Sequence, residues 1–288
     1  MTHILPIQVK IKRLAAIKKG YEMALSNVTV VFKSNSNSHT AKELFYQAHE
    51  KGNNKNNEGA IADYTKAIEI DPKYMLAYYN RGWSKMHLKD YYGAIADYTK
   101  AIKIDPKDAD AYFGRGIVKG KLKNYEGAIA DYTKAIEIDP KAADAYYNRG
   151  NDKRKLGDYN SAIVDYNKAI EIDPKYMKAY INRGLSKDKL KDYYGAIADY
   201  TKALEIDPNN VLVYSNLGGV KNELKDYYGA IADYTKAIEI DPKDADAYFG
   251  RGLAKYRLID DNGACKDGLI AQKLGHSLAL EFINAACN

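Results

Sequence analysis

The sequence predicts an all-α solenoid, and three observations carry that expectation. Asp-Pro occurs at 71–72, 105–106, 139–140, 173–174, 207–208 and 241–242, six times at a spacing of 34 residues. A period of this size in one chain is the signature of a stacked array rather than of a globular core. Within each period, as in AYYNRGWSKMHL (77–88), apolar and aromatic residues return every three to four positions, which is a helical pattern. Small residues stand at fixed places, so helices must cross closely there.

Each unit reads as two helices. Lys-Asp or Lys-Asn interrupts the apolar pattern between them, and Pro ends the second because it cannot donate an interior backbone hydrogen bond. The Asp before Pro is read as a start signal for the next helix. A pair this short cannot bury its own apolar face, so neighbours must stack on it. Gly82, Gly116, Gly150, Gly184, Gly218 and Gly252 recur inside the first helix. A mid-helix Gly costs about 1 kcal/mol relative to Ala, so the recurrence implies a steric need. The second helices carry Ala at two fixed places, from Ala60 and Ala67 to Ala264 and Ala271. The chain has 27 Tyr against five Phe and one Trp. Most of that excess is assigned to the scaffold, including Tyr78 and its equivalents in first helices and Tyr64, Tyr98, Tyr132, Tyr166, Tyr200 and Tyr234 in second helices.

Whole stretches recur with the period. DYYGAIADYTKAIEIDPK at 226–243 returns at 90–107 with Lys103 in place of Glu239, and KDADAYFGRG stands unchanged at 107–116 and 243–252. This resembles the tetratricopeptide repeat family. The resemblance covers about 41–278 as seven units (41–74, 75–108, 109–142, 143–176, 177–210, 211–244 and 245–278) and implies a right-handed superhelical array of helix-turn-helix repeats. Repeat one has Asn57 and repeat seven has Asp261 where the middle units have Tyr, and repeat seven has Gly268 and His276 where the others have Tyr and Pro. SLALEFINAAC (277–287) reads as a closing helix, with Leu278, Phe282 and Ile283 turned inward; 279–288 is the remainder of that cap. Residues 1–40 do not match the repeat. They form a basic arm followed by a polar linker, SNSNSHT, read as a frayed or cap-like helix or, alternatively, a membrane-surface or targeting segment.

Charge and composition narrow the function. The net charge is +6, but residues 1–40 account for +5 and residues 41–288 for only +1. The array therefore lacks the electrostatic footprint of a nucleic-acid binder. No apolar run reaches the roughly 18 residues of a membrane span. The five His fall in no metal-ligand spacing, no Ser or Cys sits in a nucleophile motif, and Gly114-Arg115-Gly116 falls inside a helix. Neither catalytic residues, metal nor cofactor is expected. Cys265 and Cys287 either pair or remain two buried thiols in a reducing compartment, and the thiol reading is favoured, with a cytoplasmic location.

A charged pattern also recurs. Arg81, Arg115, Arg149, Arg183 and Arg251 precede the first-helix glycines, and every second helix carries an Asp from Asp63 to Asp267. A ladder of half-buried Arg–Asp pairs is expected, Arg149 reaching Asp165 in its own unit or Asp131 in the one before; a solvated face is the alternative. Repeat six has Leu217 instead, leaving one Asp without its mate. Lys51, Lys85, Lys119, Lys153, Lys187, Lys221 and Lys255 are read as snorkelling along apolar surface.

In the family that this chain resembles, first helices line a concave groove that binds peptides. The places so implied are Phe45, Tyr79, Phe113, Tyr147, Ile181, Val213 and Phe249, and one turn on His49, Trp83, Ile117, Asn151, Leu185, Gly219 and Leu253. About half of these apolar side chains are expected to pack between helices instead. Asn80, Asn148, Asn182 and Asn216 stand beside them, able to bond a peptide backbone. The expected function is a non-catalytic, monomeric scaffold binding a partner segment, apolar or aromatic by preference, through Tyr79, Asn80, Trp83, Phe113, Ile117, Tyr147, Asn148, Asn151, Ile181 and Asn182. An RNA-binding solenoid and a regulatory subunit of an enzyme complex are the alternatives. The family's charged clamp for chaperone C-termini needs lysines that this sequence lacks, with Leu212 and Asn216 at two of the basic places, so no strong binding of acidic tails is expected.

Overall fold

A computed structural model describes residues 40–287. The arm at 1–40 lies outside the described residues except for Thr40. The described residues hold fifteen helices and form one unit. The first helices are α1 (Ala41–Asn53), α3 (Met75–His87), α5 (Ala109–Lys121), α7 (Ala143–Lys155), α9 (Met177–Lys189), α11 (Val211–Glu223) and α13 (Ala245–Arg257). Their partners are α2 (Asn57–Ile70), α4 (Tyr91–Ile104), α6 (Tyr125–Ile138), α8 (Tyr159–Ile172), α10 (Tyr193–Ile206), α12 (Tyr227–Ile240) and α14 (Asp261–Lys273), followed by α15 (Ala279–Ala286). Each second helix packs on its own first helix and on the first helix of the next unit. The result is an all-α solenoid of seven helix-turn-helix repeats with a closing helix.

The turns are specified locally. Lys89 takes a left-handed φ of 65°, and Asp90 then caps α4 by accepting from the Gly93 amide at 3.0 Å. The same Asx cap opens the other second helices, at Asn56, Asn124, Asp158, Asp192, Asp226 and Asp260. In repeat four, Gly157 supplies the positive φ at no steric cost. The Asp of Asp-Pro does not start a helix. Asp71, like its equivalents, is the C-terminal cap of the preceding helix, and its carboxylate accepts from the Lys73 amide at 3.0 Å. First helices take Asp108, Asn210 and Asp244 as their own caps, further along the loop.

The core is a row of tyrosines between small residues. Tyr98, Tyr166 and Tyr200 are fully buried, and Tyr64, Tyr132 and Tyr234 nearly so. A Cβ on Gly116 would stand 2.7 Å from the Tyr132 ring, and one on Gly150 2.8 Å from that of Tyr166, so the mid-helix glycines are set by ring clearance. Gly114 and Gly250, on the neighbouring first helices, approach Tyr98 and Tyr234 as closely. Tyr98 and Tyr234 are thus wedged between glycines of two successive units, Gly82 and Gly114 for the one and Gly218 and Gly250 for the other.

Charge is handled inside each unit. In repeat four, Arg149 donates to both oxygens of Asp165, at 2.7 and 3.0 Å, and Lys153 reaches the same carboxylate at 2.8 Å. Arg149 also donates to Thr133 of the preceding unit at 3.0 Å. Repeats two, three, five and seven repeat the arrangement, with Asn167 in the place of Thr for Arg183. The ladder therefore takes its carboxylate from its own unit and a hydroxyl or amide from the one before. The lysines do not snorkel. All seven, from Lys51 to Lys255, pair with the Asp of their own second helix. A buried carboxylate with an unspent lone pair captures the ammonium that an apolar surface would leave to water. In repeat six this leaves Asp233 with Lys221 alone.

At the C-terminal end, Gly268 stands where other units carry Tyr, and Phe282 of α15 enters that space, 3.0 Å from where a Gly268 Cβ would lie. Ala279, Phe282 and Ala286 are the buried face of the cap, and Ile283 also lies against Gly268. Leu278 is 56% exposed rather than inward, because it precedes the helix as its N-terminal cap. Cys265 and Cys287 are bonded to each other, with Cα atoms 5.0 Å apart. Two free thiols were the favoured expectation; packing α15 onto α14 brings the pair together.

Candidate functional site

The second helices of repeats one to six are near-copies of one another, so what distinguishes those units lies on the first helices. Trp83 is 38% exposed and lies against the His87 ring one turn on, with centroids 3.7 Å apart. Tyr79 meets the buried Tyr98 edge-on at 5.6 Å, and Phe113 tilts onto Tyr132 at 5.8 Å. Tyr79, Phe113 and Ile117 are half-buried, one side on the scaffold and the other outward. Successive first helices touch, so these residues and Trp83 occupy equivalent places on adjoining elements, α3 and α5. Among the described residues no three His, Cys, Asp or Glu are grouped as metal ligands, and no helix is long and apolar enough to cross a membrane.

Three apolar places in the expected row belong to the core, the first being Phe45, which is buried with Leu44, Ala48 and Tyr64. Ile181 is only 7% exposed and clusters with Ala196, Tyr200 and Val213. Val213 is fully buried at the place of Ala77, Ala111, Ala145, Ala179 and Ala247. The register equivalent of Tyr79 in repeat six is Ser215, whose hydroxyl donates to Asp244 at 3.0 Å.

The asparagines divide into two groups. Asn80 and Asn148 donate back to the carbonyls of Leu76 and Asp144 in their own helices, both at 2.8 Å. Asn151 and Asn182 are engaged with each other. Asn182 donates to Asn151 Oδ1 at 2.7 Å and to the Tyr147 hydroxyl at 3.0 Å, and the Tyr166 hydroxyl donates to the same Asn151 oxygen at 2.8 Å. This closed network ties repeats four and five and takes both hydrogens of the Asn182 amide, leaving it none for a peptide. Tyr147 also tilts onto Tyr176, with ring centroids 4.9 Å apart.

Sequence reasoning did not single out Arg154 or Asn222, one turn beyond the expected rows. Arg154 Nε, Asn222 Oδ1, Asn216 Nδ2 and the Tyr200 hydroxyl are buried atoms without a hydrogen-bond partner. Asp152, 3% exposed, is a further such group. Its Oδ1 receives Lys155 at 3.0 Å, its Oδ2 has no partner, and burial pushes its carboxyl above the usual range. The sequence signal for Asp152 is its neighbours in register from repeat two onward, Ser84, Val118, Ser186, Val220 and Ala254, all small or apolar; among the other units only the exposed Glu50 of repeat one is charged there.

Three family models match the chain, two described as tetratricopeptide repeat and one as TPR repeat. They cover residues 76–108, 143–176 and 178–210; 53–84, 120–151 and 220–258; and 97–130. The chain belongs to the tetratricopeptide repeat family. Among solved structures, MamA is 28% identical over 56% of this chain and 94% of its own, with a TM-score of 0.54. YrrB, described as a TPR protein with an unusual peptide-binding site, is 25% identical over 64% of this chain and 95% of its own, with a TM-score of 0.58. The C-terminal part of a TPR repeat-containing protein from Cytophaga hutchinsonii, 20% identical, covers 83% of this chain and 99% of its own at a TM-score of 0.71, a likeness of fold. A search of curated protein sequences found no match.

Proposed function

We propose that this protein is a non-catalytic scaffold that holds a segment of a partner protein along its first helices. One observation carries the reading: Trp83, the single Trp of the chain, stands 38% exposed at a place that no common scaffold contact requires. Its equivalents are His49, Ile117, Asn151, Leu185, Gly219 and Leu253, so the array stacks without a large ring there. With Tyr79, Phe113 and Ile117 it offers an apolar and aromatic strip, the kind of surface on which anchors concentrate. The peptide-binding description of YrrB supports the same class of partner. The chain acts as a single copy in this reading, with no catalytic group of its own. The Cys265–Cys287 bond favours an oxidising compartment over the cytoplasm expected from the sequence.

The test is affinity purification with mass spectrometry, run in parallel on the wild type and on Trp83→Ala. A protein recovered with the wild type and lost with the variant, at unchanged thermal midpoint, is the expected result. Nucleic acid bound in a salt-dependent manner, or a partner retained equally by both, would overturn it.

A further inference from the structure

Leu76, Asn80, Trp83 and His87 follow one another on α3 at steps of four, three and four residues, so they share one face of the helix. Leu76, Trp83 and His87 are exposed, and Asn80 is half-buried. His87 Nδ1 lies 2.9 Å from the Trp83 carbonyl. A carbonyl only accepts, so Nδ1 carries the hydrogen and the neutral ring keeps its lone pair on Nε2. Asn80 donates to the Leu76 carbonyl at 2.8 Å and keeps its own Oδ1 as an acceptor. The Trp83 ring, with its centroid 3.7 Å from that of His87, is still 38% exposed and adds the electron-rich face of an indole. What this face offers a partner is mainly lone pairs and π electrons.

The surrounding charge has the matching sign. Arg81 and Lys85 of the same helix are both held by Asp97, at 2.7 and 2.8 Å. Tyr79, one turn before Trp83, packs on the cluster that holds Ala111, and Asp108 caps the Ala111 amide at 2.7 Å. Asp110 stands beside Ala111, exposed in the first turn of α5. In repeats four and seven the matching carboxylates are met from within the array, Asp144 by Tyr176 and Asp246 by His276. For Asp110 the place of Tyr176 holds Ala142. The place of His87 is cationic in repeats three, four, five and seven, as Lys121, Lys155, Lys189 and Arg257, whereas repeat two brings a neutral ring there together with the single Trp. Lys121 lies about three turns from Asp110, at the other end of α5.

We infer that the first-helix face of repeats two and three reads a basic side chain, Arg or Lys, of the bound segment, seated over Tyr79 and Trp83 between the Asp110 carboxylate and the His87 ring. A cation over an indole face is attracted by the ring quadrupole, and its methylene stem lies well on an apolar neighbour such as Leu76. This rests on the peptide-binding reading above and adds a sign of charge to the apolar and aromatic preference.

The experiment is selection of a random-peptide phage library on the full chain and on His87→Lys, Asp110→Lys and Trp83→Ala, each checked for an unchanged circular-dichroism spectrum. Lys already stands at these two places elsewhere in the array, as Lys121 and Lys178, so both charge variants suit the scaffold. Wild-type selection is expected to enrich Arg or Lys beside an apolar or aromatic residue. His87→Lys and Asp110→Lys should lose the basic preference and keep the apolar one, and Trp83→Ala should lose both. In a selected peptide, Arg→Gln or Lys→Gln should weaken binding to the wild type at least about tenfold and alter it little in Asp110→Lys. Enriched peptides with Asp or Glu at that place, with apolar residues alone, or with a basic preference that the variants retain would overturn the inference while leaving peptide binding intact. Should one charge variant lose its fold, the other decides. A library that yields no enriched peptide overturns the binding reading and the inference together.

Discussion

The second helices and the first helices of this array have been shaped by different demands. Between repeats two and six, α4 and α12 differ at a single position, whereas α3 and α11, their partners, agree at five of thirteen places: a Leu, a Tyr, an Asn, a Gly and a Lys. Second helices pack on the first helix of their own unit and on that of the next, so a change there must be accommodated in both. First helices meet that constraint on one face and are free on the other. Variation in a repeat protein is informative only on the free face.

The comparison can be broken most severely at ring clearance. Gly250→Leu places carbon where Tyr234 already lies, since even a Cβ would approach the ring to 2.3 Å. A loss of about 3 kcal/mol or more is expected, with repeats six and seven unfolding first in hydrogen exchange. Protection in α12 and α13 equal to the wild type would show that the wedge tolerates the change.

Next comes the charge clasp. Asp165→Ala strands Arg149 and Lys153 together, and a loss of about 3 kcal/mol in urea unfolding is expected. Leu217→Arg adds the missing guanidinium beside Asp233 and should gain far less, under about 1 kcal/mol, because Leu217 already packs in a buried cluster. A gain comparable to the Asp165 loss would make the clasp a net source of stability rather than a matched set.

The free face should respond in binding instead of stability. Trp83→Ala is expected to weaken a partner segment by about 2 kcal/mol, near thirtyfold in Kd by calorimetry, with the thermal midpoint almost unchanged. Unfolding of the array would place Trp83 in the core.

The smallest effect expected is at Asp152. Burial raises its carboxyl in the folded protein, so the folded state holds that proton more tightly than the unfolded chain does. Its charged form therefore costs stability at neutral pH, and that cost disappears as pH falls through the raised folded value toward about 4. Asp152→Asn should be slightly more stable than the wild type at pH 7, and the difference should shrink on acidification. A difference that grows on acidification would reverse the assignment.

Much of this architecture was legible because a period leaves little freedom. The starts of the first helices, the glycine crossings and the Arg–Asp pairing follow from residues that recur at fixed offsets. The Lys–Asp pairs had a signal of the same kind, since Lys51 and Asp63, Lys85 and Asp97, and the five pairs after them stand twelve residues apart in every unit. Reading Lys as a side chain with no specific partner hid it. The asparagines were less accessible. Asn151 and Asn182 are 31 residues apart on different helices, and only the direction of each side chain shows that they meet. Val213 lay two positions out of register, and a β-branched residue in the place of Ala looked like a surface feature when it fills a buried site.

The clasp has a consequence for how such a chain is inherited. Each carboxylate is neutralised from within its own unit, and only the Arg-to-Thr or Arg-to-Asn bond crosses to the unit before. A duplicated unit therefore arrives with its buried charge already balanced and asks of its new neighbour only a hydroxyl or amide and a small residue. Lengthening the array by copying leaves no orphaned ion behind. The near-identity of 90–107 and 226–243 is what an array open to that kind of growth would carry.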